Sequence, residues 1–192
     1  MLNQKFFERS AVMVAKDLIG CYLIKRLNDG KIARFMIVET EAYEGLKDKA
    51  SHASRGETER NKVMFGEAGV WYVYFTYGMH YILNIVCGKV GYPAAVLIRG
   101  VVDENGEKIL GPARLTKKLK IDKTFNGKTV SKIAGLWIEH PTLKIHDREF
   151  VMGRKNGNVL KTPRIGVDYA GLIWSQKLYR FVLEGFETKR FK

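Results

Sequence analysis

A chain of 192 residues with 46% hydrophobic side chains can bury one sizeable core, and 33 Lys plus Arg against 20 Asp plus Glu give it a formal net charge of +13. No apolar run approaches the roughly 18 residues of a membrane span, and Met1-Leu2-Asn3-Gln4-Lys5 opens no signal-peptide pattern, so the reading is a cytoplasmic protein with no targeting segment and no membrane partner. The cations are spread along the sequence, which predicts a folded basic surface for a polyanion and not a charged tail.

Ser10 is placed to cap a helix over 11–19 that Gly20 ends, and 21–27 then reads as a strand. Asn28-Asp29-Gly30 is a turn, and the chain returns through 31–39, where Phe35-Met36-Ile37-Val38 is continuous, as in a strand covered on both faces. From 44 to 69 the sequence is polar, a long loop with one short helix over 58–65. Strands over 70–76 and 81–86 flank Tyr77-Gly78-Met79-His80, a hairpin with Gly78 at its turn. A strand over 94–102 contains a single charge, Arg99, and Gly111-Pro112-Ala113 opens a helix to about 120. Shorter strands fall near Leu136, Ile145 and Phe181. With no repeat and no linker, this order predicts an α+β fold: one domain over 1–192 with a mostly antiparallel curved β-sheet, short helices and a protruding β-hairpin.

Cys21 and Cys87 are too few for a disulfide framework and read as buried thiols. His52, His80, His140 and His146 lack the spacing of zinc ligands, and no phosphate-binding glycine loop, dinucleotide fingerprint or nucleophile elbow occurs, so neither a metal nor a cofactor is expected. The stretch from Trp71 to Tyr81 is rich in rings. Alternation puts Trp71, Val73 and Phe75 on a core face and Tyr72, Tyr74 and Thr76 on the other, where a ring lines either a pocket or the edge of the core. Glu39 and Glu41 project from one strand face with Tyr43 continuing the row; they are either arginine-paired or solvated acids, or carboxylates flanking a reacting centre. Asn84 and Arg99 are polar at apolar positions, which means an internal hydrogen bond and ion pair or a pocket wall, with Arg99 near Glu41.

Val38-Glu39-Thr40-Glu41-Ala42-Tyr43, Ser51-His52-Ala53-Ser54-Arg55-Gly56, Arg60-Asn61, Met64-Phe65, Tyr72-Val73-Tyr74, Tyr77-Gly78-Met79 and Asn84 together resemble the alkyladenine (3-methyladenine, or methylpurine) DNA glycosylase family. Ala95-Val96-Leu97-Ile98-Arg99, Gly111-Pro112-Ala113-Arg114-Leu115-Thr116 and 164–171 extend the resemblance over most of the chain. It implies a monofunctional enzyme acting as a monomer on double-stranded DNA, flipping out a damaged purine and hydrolysing its glycosidic bond without a cofactor. Carried onto this sequence, it makes Glu41 the general base and Arg99 its catalytic partner. Tyr43, His52 and Tyr74 become the stacking walls, Asn84 the gate against the amine of normal guanine, and Tyr77 the side chain that intercalates in place of the flipped nucleotide. The short N-terminal lead-in resembles bacterial-type members, consistent with a nucleoid-associated enzyme. The sequence departs from the family's usual pattern at Glu59 and Lys118. Two other readings compete: a non-catalytic nucleic-acid-binding protein, from charge and rings alone, and a metal-dependent nuclease built on Glu39 and Glu41.

Overall fold

The run Phe35-Met36-Ile37-Val38 lies inside the longest strand, β2 (Ile32–Glu44), in which every residue from Phe35 to Ala42 is buried. In the computed structural model, which describes residues 1–76, 78–141 and 158–186, its neighbours explain why. β1 (Tyr22–Arg26) pairs with its first half, β9 (Arg180–Leu183) with residues 39–41, and β5 (Ala94–Asp103) runs along its other edge. The sequence places the end of this strand at Glu39. It continues to Glu44 because residues 40–44 find partners in 94–98, so Glu39, Glu41 and Tyr43 sit within the sheet and not at its margin.

The aromatic hairpin, β3 (Trp71–Thr76) and β4 (His80–Val86), forms one edge and β7 (Leu136–Glu139) the other, in the order β3-β4-β5-β2-β1-β7. β6 (Lys108–Leu110) pairs with β5, and β8 (Val159–Thr162) with β9; every pairing among the described residues is antiparallel. The two edge strands are linked through a side chain, Trp71 Nε1 donating to the Leu136 carbonyl at 3.1 Å. The α+β reading therefore holds. The expected hairpin carries Gly78 at its turn with φ +66°, a conformation that favours glycine. Tyr77, His146 and the strand expected near Ile145 lie outside the described residues.

Among the described residues there are four α-helices, α1 (Gln4–Phe7), α2 (Ala11–Asp17), α3 (Pro112–Lys118) and α4 (Leu172–Ser175), of which α2 and α3 pack on the sheet. Ser10 caps α2 by accepting from the Met13 amide, and Pro112 opens α3, both as the sequence predicts. Val14, Ala15 and Leu18 pack with Ile37, Ile98, Trp71, Leu83 and Phe181 in the main core, and Cys21 and Cys87 are buried free thiols there. On the hairpin, Trp71 and Val73 enter this core. Tyr72 and Tyr74 face a second cluster with Ala53, Met64, Val86 and Ala95. Phe75 continues the core face yet is half-exposed, because the hairpin has run past the core's edge. The 44–69 stretch holds two 3-10 turns, His52–Arg55 and Lys62–Phe65, in place of the single helix expected over 58–65. No helix among the described residues is long and apolar enough to cross a membrane.

Candidate active site

Two register shifts interrupt the β2–β5 ladder, leaving Val38 and Arg99 as extra residues between Ile37↔Val101, Glu39↔Gly100 and Thr40↔Ile98. Bulges of this kind re-aim side chains. Here Arg99 is brought against Glu39 and Glu41, and Gly100 makes the approach possible: a Cβ there would lie 3.2 Å from Glu39 Cβ and 3.1 Å from Leu110 Cδ2. Arg99 Nε donates to Glu39 Oε1 at 3.0 Å, and Arg180 Nε donates to the same oxygen at 2.6 Å. Arg99 Nη1 reaches Glu41 Oε2 at 3.4 Å. All four side chains are buried, so each charge depends on the others. Burial opposes the Arg99 charge, but the Glu41 and then the Glu39 carboxylate outweigh it and hold the guanidinium above its ordinary range.

The two carboxylates are thereby distinguished. Glu39 is committed to two arginines. Glu41 instead accepts from the Tyr43 hydroxyl at 2.9 Å and the Ile165 amide at 2.8 Å, with Arg99 more distant. Burial, followed by the adjacent Glu41 charge, drives the Tyr43 hydroxyl well above its ordinary value, which keeps it a donor. A divalent cation at this pair would meet two guanidiniums. Among the described residues, no three His, Cys, Asp or Glu side chains converge.

Above this cluster lies a cavity of about 200 Å³, smaller than the ~300–1,000 Å³ of clefts that take drug-sized ligands and suited to one flat heterocycle. Five of the seven residues singled out from the sequence line it: Tyr43, His52, Tyr74, Asn84 and Arg99. Glu41 does not, being fully buried, yet all three of its donors, Tyr43, Arg99 and Ile165, are lining residues. Tyr77 falls outside the described residues.

The cavity's aromatic wall is uncharged near neutrality. His52 Nδ1 shares a hydrogen bond with the Tyr72 hydroxyl at 3.1 Å, and its ring stands edge-on to Tyr74 with centroids 4.6 Å apart. Tyr72 and Tyr74 lie 5.2 Å apart. His52 keeps exposed surface, but desolvation of its crowded ring, and then the Arg60 charge, push it down to about 4. Burial raises Tyr72 to about 12 and Tyr74 further. Neutral π-faces suit a cationic ring. Asn84 Nδ2 donates to the Tyr72 and Ile82 carbonyls at 3.1 and 3.4 Å, leaving the amide oxygen as what this residue can still offer. Arg60 lies 4.8 Å over the Tyr74 ring, at the start of an adjoining groove of about 550 Å³. Lys49, Arg55 and Arg60 line that groove, which shares Ser51, His52 and Tyr169 with the cavity.

Sequence reasoning missed what braces this wall. Arg164 is fully buried and makes a bidentate pair with Asp48, Nη1 to Oδ2 at 2.6 Å and Nη2 to Oδ1 at 2.8 Å, while its guanidinium stacks 4.8 Å over the Tyr43 ring. The next residue is Ile165, the donor to Glu41, and Gly166, Val167 and Tyr169 continue along the cavity. Asp48 also accepts from the Glu44 and Ala50 amides, and buried Asn61 ties the loop by donating to the His52 and Gly56 carbonyls. The one legible signal is that 164–171 lies among the resembling blocks. Glu59 and Lys118 engage exposed ion pairs with Lys62 and Glu107, and neither lines the cavity.

A carboxylate held by an arginine and a tyrosine, beneath an aromatic slot and beside a cationic groove, marks an enzyme directed at nucleic-acid bases. The chain belongs to the methylpurine-DNA glycosylase family, whose model matches residues 5–187, and is thus a DNA glycosylase. It is 41% identical over 187 residues to a protein of Methanocella arvoryzae, covering 89% of this chain and 86% of that one. It is 38% identical to a protein of Ehrlichia chaffeensis (95% and 93% covered) and 40% identical to one of Legionella pneumophila strain Lens (95% and 94% covered). Each of the three bears the name "putative 3-methyladenine DNA glycosylase".

Proposed function

We propose that this glycosylase is monofunctional: it extrudes alkylated or deaminated purines from double-stranded DNA into the aromatic cavity and hydrolyses the N-glycosidic bond, leaving an abasic site. The observation that carries this reading is the asymmetry of the two carboxylates. Glu39 is saturated by Arg99 and Arg180, whereas Glu41 is tied to three groups that all line the cavity. In this reading Glu41 takes the proton of a water that attacks the sugar carbon bearing the base, Arg99 and Tyr43 hold the carboxylate in place, and the bonding electron pair leaves with the base. A purine alkylated at N3 or N7 is cationic and departs neutral, so it needs no proton donor. His52, Tyr43 and Tyr74 stack on the extruded ring, Asn84 takes up the space that the amine of normal guanine would need, and Tyr77 fills the vacated stack. Extrusion costs a few kcal/mol, least for a damaged or mispaired base.

A neutral leaving group such as hypoxanthine does need protonation. With His52 at about 4 and the wall tyrosines raised, the described cavity is poorly supplied with acids, which favours alkylated over deaminated substrates. The test is release of free base from duplexes carrying 3-methyladenine or hypoxanthine, followed by chromatography, with strand breaks developed by alkali. The expected result is base release without direct cleavage, faster for 3-methyladenine. Intact lesions in the presence of folded protein refute the activity, and magnesium-dependent strand breaks would favour the nuclease reading.

A further inference from the structure

The rim of the cavity carries two apolar lips. One is the hairpin, whose Tyr74 and Thr76 line the cavity and whose turn leaves Met79 68% exposed. The other follows the braced wall. Tyr169 lines both the cavity and the basic groove, and Gly171 then turns the chain into α4. That helix is inverted in polarity: it buries Ser175 and leaves Leu172 and Ile173 83% and 76% exposed. It is not a loose end, since the Trp174 carbonyl accepts from buried Arg164 at 3.2 Å, and Trp174 packs on Ala50, Val167 and Ala170. Displaying two adjacent aliphatic side chains on a fixed element calls for something to cover them.

Location and charge identify the cover. Ile173 is four residues beyond a cavity-lining tyrosine, within about 15 Å of the rim along the chain. An extruded nucleotide stays joined to its strand through both phosphates, so a duplex serving this cavity has to lie across its rim. The adjoining groove of Lys49, Arg55 and Arg60 supplies the positive charge a polyanion needs there. Leu, Ile and Met are side chains that proteins press against or between base steps of bent DNA. We infer that Leu172 and Ile173 form a second apolar contact with double-stranded DNA, separate from the hairpin, on the rim of the base-extrusion cavity. The inference rests on the proposed function, which supplies the duplex.

The experiment compares the wild type, the double variant Leu172→Ser/Ile173→Ser and Ile133→Ser, a control at a residue that is 98% exposed and lines neither cavity nor groove. Affinity for a duplex with a tetrahydrofuran abasic site is measured by anisotropy across a salt series, and excision of 3-methyladenine at saturating enzyme is timed separately. The double variant should bind about tenfold more weakly at every salt concentration, the scale of uncovering about 55 Å² of apolar surface shared by the two partly covered side chains. Its slope of log affinity against log salt should stay unchanged, since no cation is removed. Excision at saturation should stay within twofold of wild type, and Ile133→Ser should match wild type throughout. A photo-crosslinking benzoylphenylalanine at 173, in the otherwise intact chain, should join the duplex. Unchanged affinity without a crosslink overturns the inference, as does a wild-type dimer that the double variant converts to monomer, which would make a second copy the cover. If wild type releases no base, the proposed function fails, while binding and crosslinking still decide whether this lip meets DNA.

Discussion

Glu39→Gln and Glu41→Gln should separate ion pairing from chemistry on a single strand. Glu39 Oε1 accepts from Arg99 at 3.0 Å and Arg180 at 2.6 Å, so Glu39→Gln keeps an acceptor oxygen but removes the charge, leaving Arg99 with Glu41, at 3.4 Å, as its one carboxylate partner and depriving Arg180 of this one. Breaking a buried ion pair from one side costs about 3–5 kcal/mol, and at this chain length each kcal/mol lowers Tm by about 2–4 °C, so Glu39→Gln should melt roughly 6–20 °C lower. Glu41→Gln keeps an oxygen that can accept from Ile165, and Arg99 keeps Glu39. Its cost is nearer the ~1.5–3 kcal/mol of a charge-assisted hydrogen bond. Catalysis should rank the other way. Loss of a general base lowers the rate by about 10²–10⁴, so Glu41→Gln should bind lesion DNA and scarcely release base, while Glu39→Gln should retain most of its rate. The assay is single-turnover base release, with each variant held well below its own Tm as read by thermal melting. Equal losses in both variants at temperatures where both are folded, or a fully active Glu41→Gln, would refute the assignment.

Three further outcomes follow from the same geometry. His52 falls from 6.5 unfolded to about 4 folded, so on acidification the unfolded chain binds this proton first; the stability linked to it is complete above about 6.5 and lost as pH falls toward 4. An NMR titration should place the His52 midpoint near 4, and Arg60→Ala should raise it while leaving it below 6.5, because desolvation is the larger cause. Asp48→Asn weakens a fully buried bidentate pair and should cost about 3–5 kcal/mol, seen as a Tm lower by roughly 6–20 °C; an unchanged melting curve would mean the pair does not brace the wall. Asn84→Ser should allow release of guanine from undamaged duplex, detected as free base, and no such release would remove the gate role.

The strands were legible wherever a periodic apolar pattern met turn residues, as in the Tyr72 and Tyr74 face of β3 and the unbroken run in β2. Their ends were less so, because the last residues of β2 become strand through pairing with 94–98, which no local propensity encodes. Arg99 beside Glu41 was readable as a lone charge in an apolar strand that needed a counter-ion. Its closer partner Glu39 lies 60 positions away, and the second arginine on Glu39, Arg180, is 141 positions from it. The pairing of Asp48 with Arg164 was not legible for the same reason: a lone charge is ordinarily expected to be solvated, and 116 positions separate the two. Of the two 3-10 turns in the 44–69 stretch, the first is capped by Ser51, which accepts from the Ala53 amide, and tied by Asn61 through the His52 and Gly56 carbonyls, contacts that helical periodicity does not encode.

Those sequence separations bear on synthesis. The carboxylate row of β2 leaves the ribosome early, but Ile165, Arg164 and Arg180 emerge more than 120 residues after it. Until they arrive, a nascent chain lacks the amide that meets Glu41 and the guanidinium that shares Glu39, and closing contacts over such loops is slow. Glu41 and the wall beside it can therefore come together only when almost the whole chain has been made, so an interrupted translation product would carry the groove cations Lys49, Arg55 and Arg60 without the completed cluster beside them.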